Sequence, residues 1–199
     1  MRNYAELLED VLCWDETSQM LFECGFPPDD RILQNRDELI RFCEWIEEQD
    51  IRSYLEIGIW TGRLFCALHR MFGFDPAAAC DPLWARSLGL PVRLPKGVKL
   101  HRGMSDSESY IEFRRALGHI DLVMIDGDHD YDAVSRDFEI NRAMPHRFLA
   151  FHDIVGSNQT EGVRRFWEEL DFGHKMEICL PHTELGLDHS KMGIGIWWE

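Results

Sequence analysis

Five short apolar runs recur along the chain, and each stops at or shortly before a residue suited to a turn or to chemistry. Tyr54-Leu55-Glu56-Ile57 stops at Gly58, Ala77 to Cys80 at Asp81-Pro82, and Val98-Lys99-Leu100 shortly before Gly103. Ile120 to Ile125 stops at Asp126-Gly127, and Phe148 to Phe151 at His152-Asp153. Helical periodicity lies between them. Leu64, Leu68, Met71 and Phe72 share one face ending at Gly73, a helix runs from Tyr131 to about Ala143, and Val163, Phe166, Trp167 and Leu170 fall at i, i+3, i+4 and i+7. Continuous apolar runs fit strands buried on both faces, and strands alternating with helices fit βαβ units around a parallel sheet. The pattern therefore predicts an α/β, doubly wound fold. Ligands of such sheets bind beyond the carboxyl ends of the strands, where the strand order reverses. The Gly, Asp and His-Asp endings place the chemistry on that edge.

Met176 to Leu180 and Ile194 to Trp198 supply two further strand candidates in the tail. Before the first run, Leu39, Phe42, Cys43 and Ile46 form one helix face, with Asn35 or Asp37 as its cap, and Gly25 to Asp30 reads as a loop. Residues 1–50 are thus predicted to be a helical prelude to a core spanning 51–199, the whole forming one domain of 199 residues.

Charge narrows the class of partner. The chain carries 21 basic and 36 acidic residues, a formal charge of −15. Such a field repels phosphate backbones and anionic bilayers, so neither nucleic acid nor membrane is an expected partner. No apolar run approaches the roughly 18 residues of a membrane helix. The six cysteines include no C-x-x-C pair, and the first ten residues hold no apolar signal core. The expectation is a cytoplasmic protein with free thiols.

Four constellations carry chemistry. Glu56 to Gly62 reads E-x-G-x-x-x-G between a strand and a helix, where glycine permits a tight turn and a close backbone approach. It lacks the spacing of the dinucleotide fingerprint G-x-G-x-x-G. Asp81, about twenty residues on, is placed to accept hydrogen bonds from a ribose. Asp126-Gly127-Asp128-His129-Asp130 crowds three carboxylates and an imidazole behind a buried strand, a repulsion that a cation relieves. Against this, the same turn serves as a solvated helix cap. His152-Asp153 ends the neighbouring strand, and its donors suit a hard or borderline divalent ion.

Taken together, Glu56 to Gly62, Asp81, Gly103-Met104-Ser105 and Asp126 resemble the class I S-adenosylmethionine-dependent methyltransferases. The stretches Ile125 to Tyr131, Phe151 to Ile154 and Gly162 to Trp167 are more specifically similar to small-molecule O-methyltransferases of the macrocin and cephalosporin-hydroxylase-like type. The resemblance implies a Rossmann-like seven-stranded sheet with the last strand antiparallel beside the fifth. It implies that Glu56, Gly58 and Gly62 hold the methionine part of the cofactor, Asp81 its ribose, Ser105 its adenine and Asp128 its amino group. Asp126 and Asp153 would be metal ligands, with His152 as a third. The metal-dependent relatives carry an acidic or Asp-Asn pair where this chain has His152-Asp153, so the ion is Mg²⁺ or, with imidazole bound, a softer ion such as Mn²⁺. His129 falls where relatives keep their general base, and with Asp126 forms the expected catalytic pair.

The reaction implied is metal-assisted transfer of a methyl group to a hydroxyl of a small molecule, with a sugar among the candidates. Acceptor contacts are expected from the prelude and from residues 155–160, with Trp60 and Trp84 lining the pocket. Two alternatives remain open: a cofactor-binding protein without turnover, and a metal-dependent phosphoesterase. His69, His119 and His182 stand outside these constellations and read as structural or surface residues. The oligomeric state is not legible in the sequence.

Overall fold

A computed structural model describes residues 2–25, 29–155, 160–179 and 192–199. Its centre is a seven-stranded sheet built from β3 (Tyr54–Ile57), β4 (Ala77–Cys80), β5 (Lys99–His101), β6 (Ile120–Ile125), β7 (His146–His152), β8 (His174–Ile178) and β9 (Ile194–Trp198). The spatial order is β5-β4-β3-β6-β7-β9-β8. β3, β4, β5, β6 and β7 pair in parallel, while β9 runs antiparallel to both β7 and β8. The fold class and the antiparallel last strand beside the fifth agree with the sequence reading. Leu180, the expected end of the strand from Met176, lies outside the described residues, as does His182.

Side-chain alternation splits the core between the two faces of the sheet. Tyr54, Ala77, Ala79, Leu122 and Met124 pack on one side with α3 (Arg36–Glu48) and α4 (Arg63–Phe72). Leu55, Ile57, Val123 and Ile125 pack on the other with α6 (Glu108–Leu117), α7 (Tyr131–Arg142) and α8 (Glu161–Glu169). Helices on both faces explain why the parallel strands are apolar throughout. The expected stops are present: Asn35 accepts from the backbone N–H groups of Asp37 and Glu38, and Gly73 closes α4 in a left-handed conformation.

The prelude departs from a purely helical reading. α1 (Tyr4–Leu7) and α2 (Glu16–Glu23) are joined by a small parallel sheet in which β1 (Cys13–Trp14) pairs with β2 (Ile32–Asn35). Two- and four-residue strands are too short to show a period of two. Within the described part of the loop from Gly25 to Asp30, Asp30 accepts from Arg63 (2.8 Å) and Arg93 (3.0 Å), tying the prelude to the start of α4.

From β3 the chain winds outward through β4 and β5, then returns to place β6 on the other side of β3. The order reverses between β3 and β6, so the ends of these strands bound the crevice of the fold.

Candidate active site

A cavity of about 940 Å³ opens at this edge. Glu56, Gly58, Asp81, Ser105 and Asp128 line it, as do Asp126, His129, His152 and Asp153. Gly62 is not part of the lining. It caps α4, and a Cβ there would stand 2.0 Å from the Arg93 carbonyl oxygen. Its place is thus a backbone contact.

Gly58 has a similar constraint, but at the cavity wall. Its φ is +81°, and a Cβ there would lie 2.0 Å from the Asp126 carbonyl oxygen. The bare backbone lets the turn after β3 lie directly against the turn after β6. Trp60 follows at φ 50°, with its indole N–H donating to the Asp29 carbonyl (3.1 Å). Its ring centroid is 5.5 Å from that of Trp84, and both rings line the cavity.

Asp81 organises the neighbouring turn. One carboxylate oxygen accepts from Ile59 N–H (2.8 Å), and the other from the N–H groups of Leu83 and Trp84. The carboxylate is buried and at the same time part of the cavity wall. Each of its oxygens has two lone pairs, so these backbone bonds leave acceptor capacity for a ligand.

The acidic side is built by strand register. Ile125 pairs with Phe151, which sets Asp126 beside His152. Asp153 then turns in the left-handed region, φ 62°, a conformation Asp tolerates better than most residues. His152 Nδ1 lies 3.1 Å from Asp126 Oδ1 and 3.2 Å from Asp153 Oδ2. His129 Nε2 lies 3.4 Å from Asp153 Oδ2 and 3.9 Å from Asp126 Oδ1. The loop carrying His129 is fixed from outside, because Gly162 of α8 sits so close that a Cβ would be 2.3 Å from the His129 carbonyl oxygen.

Charge in this group is strongly coupled. Burial opposes ionisation of His152, but Asp126 and Asp153 outweigh it and hold the imidazole well above its usual range. Burial likewise opposes the charge on Asp126, and the two histidines reverse that and lower its pKa. His129 is raised against its own burial by Asp126 and Asp153. Beneath them Glu56 accepts from the Tyr54 hydroxyl (2.6 Å), and burial pushes its carboxyl up to about 8.

Asp126, His152 and Asp153 offer ligand atoms all within 4.8 Å of one another, and no other such group occurs among the described residues. The buried His152 Nε2 has no hydrogen-bond partner there. Two carboxylates and one imidazole form a donor set that fits a divalent cation. Among the described residues nothing supplies the second ligand group of a di-metal phosphoesterase centre.

Sequence reasoning missed Asp137, a buried acid in the cavity wall, and the prelude residues Trp14, Phe22 and Arg31 on its rim. The first had a signal: Asp137 lies at i+3 from Val134 and beside Phe138, on the apolar face of α7. For the prelude, from which acceptor contacts are expected, the sequence names the segment but not these residues. The expected acceptor loop, residues 155–160, falls largely outside the described residues. His119, read as a surface residue, pairs with Asp121 at 3.2 Å, and Cys13, Cys24, Cys43, Cys66 and Cys80 are free thiols. Among the described residues no helix is long and apolar enough to cross a membrane.

Comparison with known proteins gives this geometry a context. The profile of the methyltransferase-domain family matches residues 55–154. An O-methyltransferase from Bacillus cereus, solved with SAH, superposes with a TM-score of 0.58 at 17% identity, covering 98% of this chain and 96% of that one. TomG from Streptomyces achromogenes, an O-methyltransferase of tomaymycin synthesis solved with SAM, superposes with a TM-score of 0.58 at 15% identity, covering 100% and 99%. At such identities the likeness is one of fold. The uncharacterized protein y4gI of Sinorhizobium fredii is 32% identical over 85 residues, which cover 35% of this chain and 9% of that protein. The chain therefore spans less than a tenth of the length of that curated relative.

Proposed function

This chain belongs to the methyltransferase-domain family, and from that premise we propose that it is a metal-assisted O-methyltransferase acting on a hydroxyl of a small molecule. The observation that carries the reading is the cluster of Asp126, His152 and Asp153 with His129 at its edge, in the same cavity as the turn from Gly58 to Trp60. When bound, S-adenosylmethionine supplies an electrophilic sulfonium methyl group and the cation supplies Lewis acidity.

This reading gives each residue a role. Asp81 and Ser105 hold the nucleoside, Asp128 faces the amino-acid end, and Glu56 and Gly58 form the floor between. Asp126, Asp153 and His152 hold the cation. Asp126 and Asp153 raise the pKa of His129 against its burial, which favours its acceptance of a proton. It then takes the proton from the acceptor hydroxyl. Trp14, Phe22 and Trp60 give the acceptor side an apolar wall, compatible with the apolar face of a sugar as well as with other hydroxylated molecules.

A second reading has its own observation. His152 Nδ1 lies within hydrogen-bond distance of both carboxylates. A protonated imidazole there closes the cluster without a cation, leaving His129 to act as base alone. Calorimetry with S-adenosylmethionine and S-adenosylhomocysteine, followed by methyl-transfer assays on hydroxylated small molecules with and without divalent metal, tests both. Folded protein that binds neither ligand overturns the function. Turnover that survives exhaustive chelation overturns the metal and leaves the second reading.

A further inference from the structure

A second cavity, of about 590 Å³, lies on the α3 side of the sheet and shares no lining residue with the active-site cavity. One stripe of α3 forms a wall of it: Arg41, Glu44, Trp45 and Glu48 fall at i, i+3, i+4 and i+7. Phe148 and Trp198, half-buried on the neighbouring strands β7 and β9, form its floor. Phe148 comes four residues before His152, about 13 Å from the reacting end of β7 at the ordinary strand rise.

The three rings do not stack flat. Trp45 and Phe148 have centroids 4.9 Å apart with their planes at 78°, and Phe148 and Trp198 have centroids 5.9 Å apart at 71°. Each ring stands nearly across the next, which gives the cavity a cornered aromatic lining. The face of such a ring is electron-rich and attracts a cation. Phe148 already holds one, the Arg147 guanidinium 5.1 Å from its centroid, and Arg147 does not line the cavity. The lining charges have the same preference. Arg41 pairs with Glu44 at 3.0 Å, and Glu177 accepts from the Trp167 indole at 2.7 Å. Glu48 is exposed, and among the described residues its carboxylate has neither an ion pair nor a hydrogen bond. An anion entering here meets carboxylates, and a neutral apolar molecule strips water from them with nothing in return. An organic cation satisfies the rings and the spare carboxylate together. We propose that this cavity is a second ligand site and takes a small free organic cation of the alkylated ammonium class, its charge against Trp45, Phe148, Trp198 and Glu48. Its volume falls within the range of about 300–1,000 Å³ usual for small-molecule sites. The proposal does not rest on the methyltransferase reading.

The probes are choline and 3,3-dimethyl-1-butanol, which has carbon in place of the charged nitrogen. Titration of the whole chain, followed through the tryptophan indole NMR signals, separates the two cavities, since Trp45 and Trp198 line this one and Trp14, Trp60 and Trp84 the other. Choline should move the signals of Trp45 and Trp198 and bind roughly 5–30-fold more tightly than its neutral isostere. Glu48→Gln, a change at an exposed position, should weaken choline binding a few-fold and leave the isostere unaffected. Trp198→Leu, which assigns that signal and keeps an apolar side chain, should bring the two probes close to equal affinity; if it does not fold, Glu48→Gln decides. Wild type that responds to neither probe or binds both equally, a choline response confined to Trp14, Trp60 and Trp84, or the full preference kept by either folded variant overturns the proposal.

Discussion

The two ends of the cavity are held by different physics. The turn after β3 is a backbone construction: Gly58 takes a positive φ and lies against the Asp126 carbonyl with no space for a methyl group. The ends of β6 and β7 are a side-chain construction: each of two imidazoles lies within 4 Å of both carboxylates, and the charges alter one another's ionisation. The first end should therefore respond to substitution as part of the fold, and the second as part of the chemistry. The contact between them is direct, since the room that Gly58 leaves is taken up by the backbone of a proposed metal ligand.

Gly58→Ala should give the largest effect. The added Cβ meets backbone rather than a movable side chain, and the residue sits where side chains are strained. A loss of about 3 kcal/mol or more in unfolding free energy is expected by chemical denaturation. A variant as stable as wild type would show that the two turns are not packed together. Asp153→Asn should separate the two ends most clearly. Asn tolerates the left-handed backbone of Asp153 and keeps its shape, but removes its charge. Methyl transfer should fall by about 10²–10³-fold, metal content should drop, and the stability loss should be smaller than for Gly58→Ala. Undiminished turnover and metal content would take Asp153 out of the site.

Most of this architecture was legible because strand ends and turn chemistry are local. Gly58, Asp81, Asp126 and His152-Asp153 announced themselves as the residues that stop apolar runs, and parallel pairing then brought Asp126 next to His152. What escaped was non-local or too short to show a period. Two residues of β1 carry no alternation, and nothing in Trp14, Phe22 or Arg31 marks them as neighbours of a cavity formed mainly by residues 56–160. The approach of Gly62 to the Arg93 backbone is also non-local, since E-x-G-x-x-x-G does not reveal what each glycine touches and Arg93 lies far along the chain. Asp137 was hidden for a different reason, since an acid within a helix reads as solvated unless its face is traced residue by residue.

Glu56 sits at the boundary between the two ends, and pH sharpens the comparison there. Burial raises its carboxyl from the ordinary 4.5 to about 8, so the folded state favours the protonated form. That contribution to stability is complete below about pH 4.5 and is lost as pH rises through 8. One titrating group changes unfolding free energy by up to about 1.4 kcal/mol per pH unit in that window. In metal-free protein, Glu56→Gln should remove this slope, because the amide oxygen still accepts from the Tyr54 hydroxyl. The variant should gain on wild type between pH 5 and pH 8.5 in denaturant titrations. Parallel profiles would mean that Glu56 is already ionised, with the charged groups around it stabilising the carboxylate.

The smallest effect belongs to the rim, where neither backbone fit nor coupled charge is at stake. Trp84 is 60% exposed, and its ring rests against Trp60, whose own indole is tied to the prelude through the Asp29 carbonyl. Trp84→Ala leaves intact the backbone N–H that donates to Asp81, so it should cost less than about 0.5 kcal/mol of stability. An aromatic contact at such a rim contributes about 0.5–1.5 kcal/mol, or a few-fold to roughly tenfold in a binding constant. The ligand that loses this factor identifies the part of the cavity that Trp84 serves. A rise in the acceptor KM at unchanged affinity for S-adenosylhomocysteine would put the tryptophan pair on the acceptor side, facing Trp14 and Phe22. A loss confined to S-adenosylhomocysteine would instead place Trp84 over the ribose held by Asp81, and the acceptor would then have to enter between Trp60 and the prelude.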